Sequence, residues 1–344
     1  MIIIRTPYRV SFFGGGTDYP EWFKDHGGAV LGSSIAYYCY VHGRILPPFF
    51  NHKYLIIWSK IEKPNSVDDI KHPVIREGIK HVKILQGLEI QHHGDLPARS
   101  GLGSSSAFAA SVISMLNLLK GNEIDKATLA KESIYLEQKL LNENVGVQDQ
   151  ILTVHGGFNH VEIDSNADFK VNPLAISTKK KKKLESNILM FYTGVSRFAS
   201  KVAGDSINAI PKKQTDLFEM KKMVEEAINI LLNGNDINDF GLLLGESWKI
   251  KKSLASSISP TFIDDIYHKG LKAGALGGKL LGAGGGGFII FYVTPDRRQE
   301  VLDSLSDLLL IPFVFEEEGS KIVFNEKQQY SNTATSGKDF LKRN

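Results

Sequence analysis

The chain has 344 residues, 42% hydrophobic and 23% charged, with a formal net charge of +3. That length suggests about two domains with a sizeable core, and so mild a charge argues against a dedicated nucleic-acid binder. A single cysteine, Cys39, excludes an intrachain disulfide and fits a reducing compartment.

Met1 is followed by only three apolar residues, short of the roughly 7–15 of a signal peptide. No stretch approaches the ~18 apolar residues of a membrane span. A cytoplasmic protein without membrane contact is expected. Strand-like runs rich in β-branched and aromatic residues follow at 2–4, 10–13, 37–41 and 55–58. Cys39 lies inside the third, which favours a buried spectator thiol over a nucleophile. A helix is expected over 72–85 and a strand over 89–93, which runs into LPARSGLGSSS at 96–106. Phe108, Val112, Met115 and Leu119 then recur at helical spacing, with Gly121 as the C-terminal cap. A second helix spans 126–141, and a strand returns at 158–163.

A polar boundary follows between 164 and 186. It includes five lysines at 179–183, which are expected as a solvated loop. Beyond it come a strand at 187–192, helices at 213–232, 237–254 and 260–272, and strands at 279–281 and 288–293. A helix at 297–309 and short strands near 313 and 322 complete the pattern. The chain therefore divides into 1–175 and 186–328, with a polar tail at 329–344. Mixed strands and helices in both parts indicate layered α/β or α+β architecture.

The segment 96–106 carries the clearest chemistry. Gly101 and Gly103 let backbone approach a ligand. Ser104, Ser105 and Ser106 open a helix whose free N–H groups and positive dipole end suit phosphate. Ser105 or a neighbour is also placed for the magnesium that accompanies ATP. The loop lacks G-K-[ST], so it is not a Walker A loop, and H-R-D and D-F-G are absent.

Two other glycine clusters are less specific. GAGGGG at 282–287 formally matches G-x-G-x-x-G but runs into a strand, so a dinucleotide site fails on context. Six residues exceed a tight hairpin and suggest backbone that approaches a ligand or another loop. After Gly14, Gly15 and Gly16, Asp18 either caps a helix beginning at Pro20 or grips sugar hydroxyls.

Two further acids stand out. Glu137 falls in the middle of an apolar helical face shared by Leu129, Ile134, Leu136, Leu140 and Leu141. A carboxylate there needs a partner, a metal or a proton. Asp149, in VGVQDQI at 145–151, is open to two roles: a helix N-terminal acid, or a general base toward a hydroxyl.

Taken together, RTPYRVSFFGGGTD at 5–18, the loop at 96–107 and KLLGAGGGG at 279–287 resemble the GHMP kinase superfamily over nearly the whole chain. The details look most like its sugar-1-kinase branch, which includes heptose 7-phosphate kinases: GGGTD at 14–18, HGGAV at 26–30, ARS at 98–100 and YTGVSR at 192–197. Galactokinase would show Glu-His where Gly15 and Gly16 stand.

The resemblance implies an α+β fold, with a ribosomal-S5-like N-terminal domain and a ferredoxin-like C-terminal domain. It implies ATP and Mg²⁺, with Pro97, Ser100, Gly101, Leu102, Gly103, Ser104, Ser105 and Ser106 at the nucleotide. It implies Ser105 and Glu137 at the metal, and Asp149 with Arg9 as the catalytic pair. Gly15, Gly16, Thr17, Asp18, Gly194 and Arg197 match substrate positions. Arg197 and Arg99 are the cations considered for a distal phosphate, each equally readable as a surface charge. The expected reaction is phosphorylation of an anomeric hydroxyl on D-glycero-D-manno-heptose 7-phosphate. A kinase for a neutral sugar such as fucose and a silent sugar or nucleotide sensor are the alternatives. A homodimer is one arrangement left open.

Overall fold

The computed structural model describes residues 1–47, 49–194, 199–234 and 236–326. The polar tail and Arg197 lie outside these. The chain opens with β1 (Ile2–Phe13), α1 (Pro20–His26) and the 18-residue β2 (Gly28–Ile45). The runs at 2–4 and 10–13, expected as separate strands, form one. The reason is Pro7: it cannot donate to a ladder, but it sits where the β1–β2 register shifts between Pro7 and Tyr8, so pairing resumes on both sides.

Next come β3 (Tyr54–Ile57), β4 (Ile61–Glu62), α2 (Pro73–Val82) and β5 (Leu88–Gly94). The loop at 96–103 then enters α3 (Ser104–Lys120), which begins after Gly103 at φ 72 and ends at Gly121 at φ 91. Both glycines hold left-handed conformations that cost other residues more. α4 (Lys126–Tyr135) continues as a π-helical turn at Leu136–Leu140, where Leu141 N–H donates to Leu136 O. α5 (Gln148–His155), β6 (Phe158–Ile163) and β7 (Phe169–Pro173) follow.

The lysine run is not a loop. It lies within α6 (Thr178–Asn187), with Lys179, Lys182 and Lys183 exposed and Lys180 and Lys181 half-buried; the helix is capped by Ser177 Oγ and anchored by buried Leu184 and Asn187. Lysine is a good helix former, and one capping bond with two inward anchors outweighs the charge repulsion. Then come β8 (Ile188–Tyr192), α7 (Ala199–Ala209), α8 (Gln214–Leu232), α9 (Asn238–Ser253), α10 (Thr261–Lys272), β9 (Gly277–Leu280) and β10 (Phe288–Tyr292). α11 (Arg298–Ser304), β11 (Leu309–Ile311), β12 (Phe315–Glu316) and β13 (Lys321–Asn325) end the described chain.

Two sheets result among the described residues. The larger runs β13-β1-β2-β5-β3-β4, with β12 and the β6–β7 hairpin also joined to β2. β2 pairs with β1 along one edge and with β6, β12 and β5 in succession along the other. Its length thus ties the layer together. The smaller sheet, β11-β8-β10-β9, is antiparallel throughout. Residues 315–325, which the sequence groups with the second half, return to the first sheet through β12 and β13.

α3 packs against β1 and β2, with buried Met115 against Gly43 of β2 and Ser111 Oγ donating to Thr6 Oγ1 of β1, and so fixes the mouth of its own N-terminus. α9 lies on β9 at close range. A Cβ on Gly277 would meet Gly241 O at 2.1 Å, so only glycine permits the contact. That contact sets where the C-terminal end of α9 reaches.

Candidate active site

Three segments far apart in sequence meet at the mouth of α3. The loop is tied to β1 by Arg9 N–H donating to Leu102 O at 3.0 Å. Within it, Ser100 Oγ donates to Pro97 O (2.6 Å), and Ser104 Oγ accepts from Arg99 N–H (3.1 Å). Leu102 is buried. The first intrahelical bond is Ala107 N–H to Gly103 O, so the amides of residues 104–106 precede it, as an anion-binding helix start requires.

The glycine block at 282–287 approaches the other loop. A Cβ on Gly101 (φ 87) would meet Leu281 O at 2.4 Å, and one on Gly282 (φ 73) would meet Gly101 Cα at 2.4 Å. Gly287 is bonded by Thr193 through N–H and carbonyl, and Phe288 N–H donates to Ser100 O. Backbone-on-backbone contact between the two glycine segments therefore braces the loop. Gly194 is exposed, with open space beside it.

Glu137 lies under the helix mouth, fully buried. Its carboxylate accepts from Ser105 Oγ (2.6 Å), Ser106 Oγ (2.7 Å) and Gln150 Nε2 (2.6 Å). Burial pushes its pKa up to about 7, and the three donors hold it from rising further. Glu137 is the second residue of the π turn, next to buried Leu136. No cation pairs with it among the described residues, and no cluster of three or more His, Cys, Asp or Glu forms a metal cage there. One carboxylate and one hydroxyl suit Mg²⁺, which keeps waters and takes phosphate oxygens instead of an all-protein shell.

Asp149, the second residue of α5, faces the other way. Arg9 binds it bidentately: Nε donates to Oδ1 (2.7 Å) and Nη2 to Oδ2 (2.5 Å), while Nη1 donates to Gly101 O (2.7 Å). Such a bidentate pair fixes the orientation of both groups. Of the two roles left open by the sequence, Asp149 has the helix-initial place, and it is also ion-paired to Arg9. Asp18 does not cap α1, whose cap residue is Tyr19. It is buried and accepts from Gly16 N–H (2.9 Å) and Gln148 N–H (3.3 Å). Burial, and secondarily the Asp149 charge, raise its pKa. A Cβ on Gly15 would stand 3.5 Å from the Gln148 amide, so this turn closes over α5. Thr17 is a brace: its hydroxyl is engaged by Gly14 O and by Ala29.

Sequence reasoning missed three residues. Gln150 was visible only as part of a polar Gln-Asp-Gln step among apolar neighbours. Lys279 is buried and donates to Ser11 O (2.9 Å) and Phe12 O (2.8 Å), tying β9 to β1. Lys251 ends the stripe Phe240, Leu244, Ser247, Trp248 on α9 and donates to Gly282 O. Its place on that stripe was the available signal. Arg99 adopts φ 60, and its charge is felt by His72 and Glu143.

Residues 70–157 match the family model for the GHMP kinases N terminal domain, and 204–309 that for the GHMP kinases C terminal. Together they take in more than half of the chain, which belongs to the GHMP kinases. The chain is 28% identical to a D-glycero-alpha-D-manno-heptose 7-phosphate kinase of Campylobacter jejuni, over 92% of its own length and 97% of that protein's. It is 30% identical to an L-fucokinase/L-fucose-1-P guanylyltransferase of Bacteroides fragilis, over 62% of its length and 23% of that longer protein. In fold it is similar to a solved D-glycero-D-manno-heptose 1-phosphate kinase of Bacteroides thetaiotaomicron, with TM-score 0.77 and 24% identity over 95% of this chain and 100% of that one. The fold is the α+β GHMP kinase fold. The protein is a sugar kinase, a phosphotransferase with an alcohol group as acceptor and ATP as donor. Among the described residues no helix is long and apolar enough to cross a membrane.

Proposed function

We propose that this chain transfers the γ-phosphoryl group of ATP to the anomeric hydroxyl of D-glycero-D-manno-heptose 7-phosphate, giving the 1,7-bisphosphate for nucleotide-activated heptose synthesis. The observation that carries this reading is the bidentate Arg9–Asp149 pair beside the Ser105–Glu137 contact at one helix mouth. The heptose acceptor is supported by the near full-length likeness to the Campylobacter jejuni kinase.

In this reading the amides at the start of α3 hold the nucleotide phosphates. Ser105 and Glu137 would hold Mg²⁺, which would supply charge neutralisation on the phosphates. Asp149 Oδ accepts the acceptor hydroxyl proton, and Arg9 keeps that carboxylate in place. Asp18 accepts from a sugar hydroxyl. Positioning and electrostatics then supply most of the acceleration.

The test is a coupled ADP-release assay with Mg²⁺ and an acceptor panel: heptose 7-phosphate, the unphosphorylated heptose, L-fucose and galactose. The expected result is a kcat/KM at least tenfold higher for the heptose 7-phosphate, with ³¹P NMR locating the new phosphate at C1. Equal or better use of L-fucose would favour the second reading, which the 30% identity to the fucokinase supports.

A further inference from the structure

Three cations stand at the acceptor side of the loop, and their commitments differ. Arg9 is 3% exposed in its side chain and spends three donors on Asp149 and Gly101 O. Lys279 is 2% exposed and donates to two β1 carbonyls. Lys251 is half-buried and donates to Gly282 O, and among the described residues no carboxylate lies within ion-pair distance of it. An ammonium group has three donors, so Lys251 keeps some for a ligand.

Its position narrows what that ligand is. Gly282 lies against Gly101 of the phosphate loop, and Gly101 O accepts from Arg9, whose other edge holds Asp149. Lys251 Nζ therefore stands where the loop meets the acceptor's base. The loop carries no lysine of its own, unlike a Walker A loop, whose lysine reaches the outer phosphates. We infer that Lys251 is a further catalytic residue, whose ammonium group contacts the phosphoryl group in transfer.

The step balances without another reactant. The acceptor oxygen bonds to the γ-phosphorus as the bond to the β,γ-bridging oxygen breaks, and its electron pair leaves on ADP. The acceptor's proton passes to Asp149. Lys251 stays protonated and neutralises charge on the equatorial oxygens. The charged groups facing it are Arg9 from β1, Asp18 from the turn after β1, Asp149 from α5 and Lys279 from β9. Burial first, then Arg9, lower its pKa to about 8, with Asp18 and Asp149 opposing. It is charged below that pH and neutral above it.

This inference rests on the kinase chemistry and not on which sugar is used. Lys251→Met and Lys251→Arg are compared with the natural chain, using the best acceptor found and an unphosphorylated analogue. Removing one preorganised donor is expected to lower kcat about a hundredfold with both acceptors, leaving KM for ATP within about threefold. Lys251→Arg recovers most of the rate. It is also expected to lack the fall in kcat/KM that is expected of the natural chain above pH about 8. A KM increase confined to the phosphorylated acceptor, with kcat intact, would overturn the inference in favour of a distal-phosphate contact. A lowered Tm with unchanged kinetics would reduce Lys251 to a tie on Gly282. Should no sugar be phosphorylated, the acceptor reading fails. The same variants are then read on slow ATP hydrolysis, where an unchanged rate overturns the role of Lys251.

Discussion

Glu137 and Asp149 are both carboxylates at the mouth of α3, yet their surroundings are opposite. Glu137 is sealed in and held by three neutral donors, so its pKa rises to about 7. Asp149 is part-exposed and clasped by a buried guanidinium. The first turn of α5 makes the division: Asp149 faces Arg9, while the next residue, Gln150, faces Glu137. Successive helical positions point about 100° apart, so one short helix serves both pockets. The proposed mechanism uses this difference: the carboxylate without a cation is proposed to hold the metal, and the one oriented by a guanidinium to take the hydroxyl proton.

The sharpest way to break this contrast is Asp149→Asn. The acceptor for the proton is lost while the phosphate loop is intact, so kcat is expected to fall about 10³-fold. ATP affinity, measured by calorimetry, should change little. A kcat within tenfold of the natural chain would remove Asp149 from proton transfer.

Next in size is Glu137→Gln, with kcat down about a hundredfold and a higher Mg²⁺ requirement. Its pH behaviour tests the pocket directly. Between about pH 4.3 and about 7, folded Glu137 keeps a proton that the unfolded chain has released. The folded state binds more protons there, so metal-free stability declines as pH rises through that window. Thermal melts without Mg²⁺ should show this slope in the natural chain and lose it in Glu137→Gln. Mg²⁺ affinity should rise between pH 6 and 8 only where Glu137 is present.

Arg9→Lys keeps the charge but not the two parallel bonds to Asp149 or the third to Gly101 O. The expected loss in kcat is about tenfold to thirtyfold, read in the same ADP-release assay. Unchanged kcat would show that charge alone positions Asp149. The smallest effect belongs to Gln150→Leu, which leaves Glu137 two serine donors of three. Glu137 is then held less well in its ionised form. The half-saturating Mg²⁺ concentration should rise roughly threefold at pH 7 while the Asp149 pocket is unaffected; no rise would show that Gln150 is packing only.

Much of the frame was legible because its signals are local. Gly101, Gly103 and the serines announce a loop entering a helix, and the apolar periodicity of 108–119 announces the helix itself. Glu137 on an apolar face was equally readable. Pairing across sequence was not. Arg9 and Asp149 are 140 residues apart, and no pattern within either segment names the other. The lysine run misleads for a related reason: charge density suggests a solvated loop, but Ser177 and the inward Leu184 and Asn187 make a helix. Lys279 looks like any strand lysine until β1 carbonyls are found capping it.

By itself the sequence determined most of the strands and helices and the glycine–serine loop, though not the lysine helix α6 or the union of 2–4 with 10–13 in β1, since these signals depend on side-chain periodicity, glycine freedom and capping over a few residues. Only the tertiary structure decided which carboxylate received a cation and which did not. It also placed the glycine block against Gly101 and Lys251 beside both. Desolvation and ion pairing depend on what the rest of the chain brings within a few ångströms, and that neighbourhood exists only once the sheets have assembled.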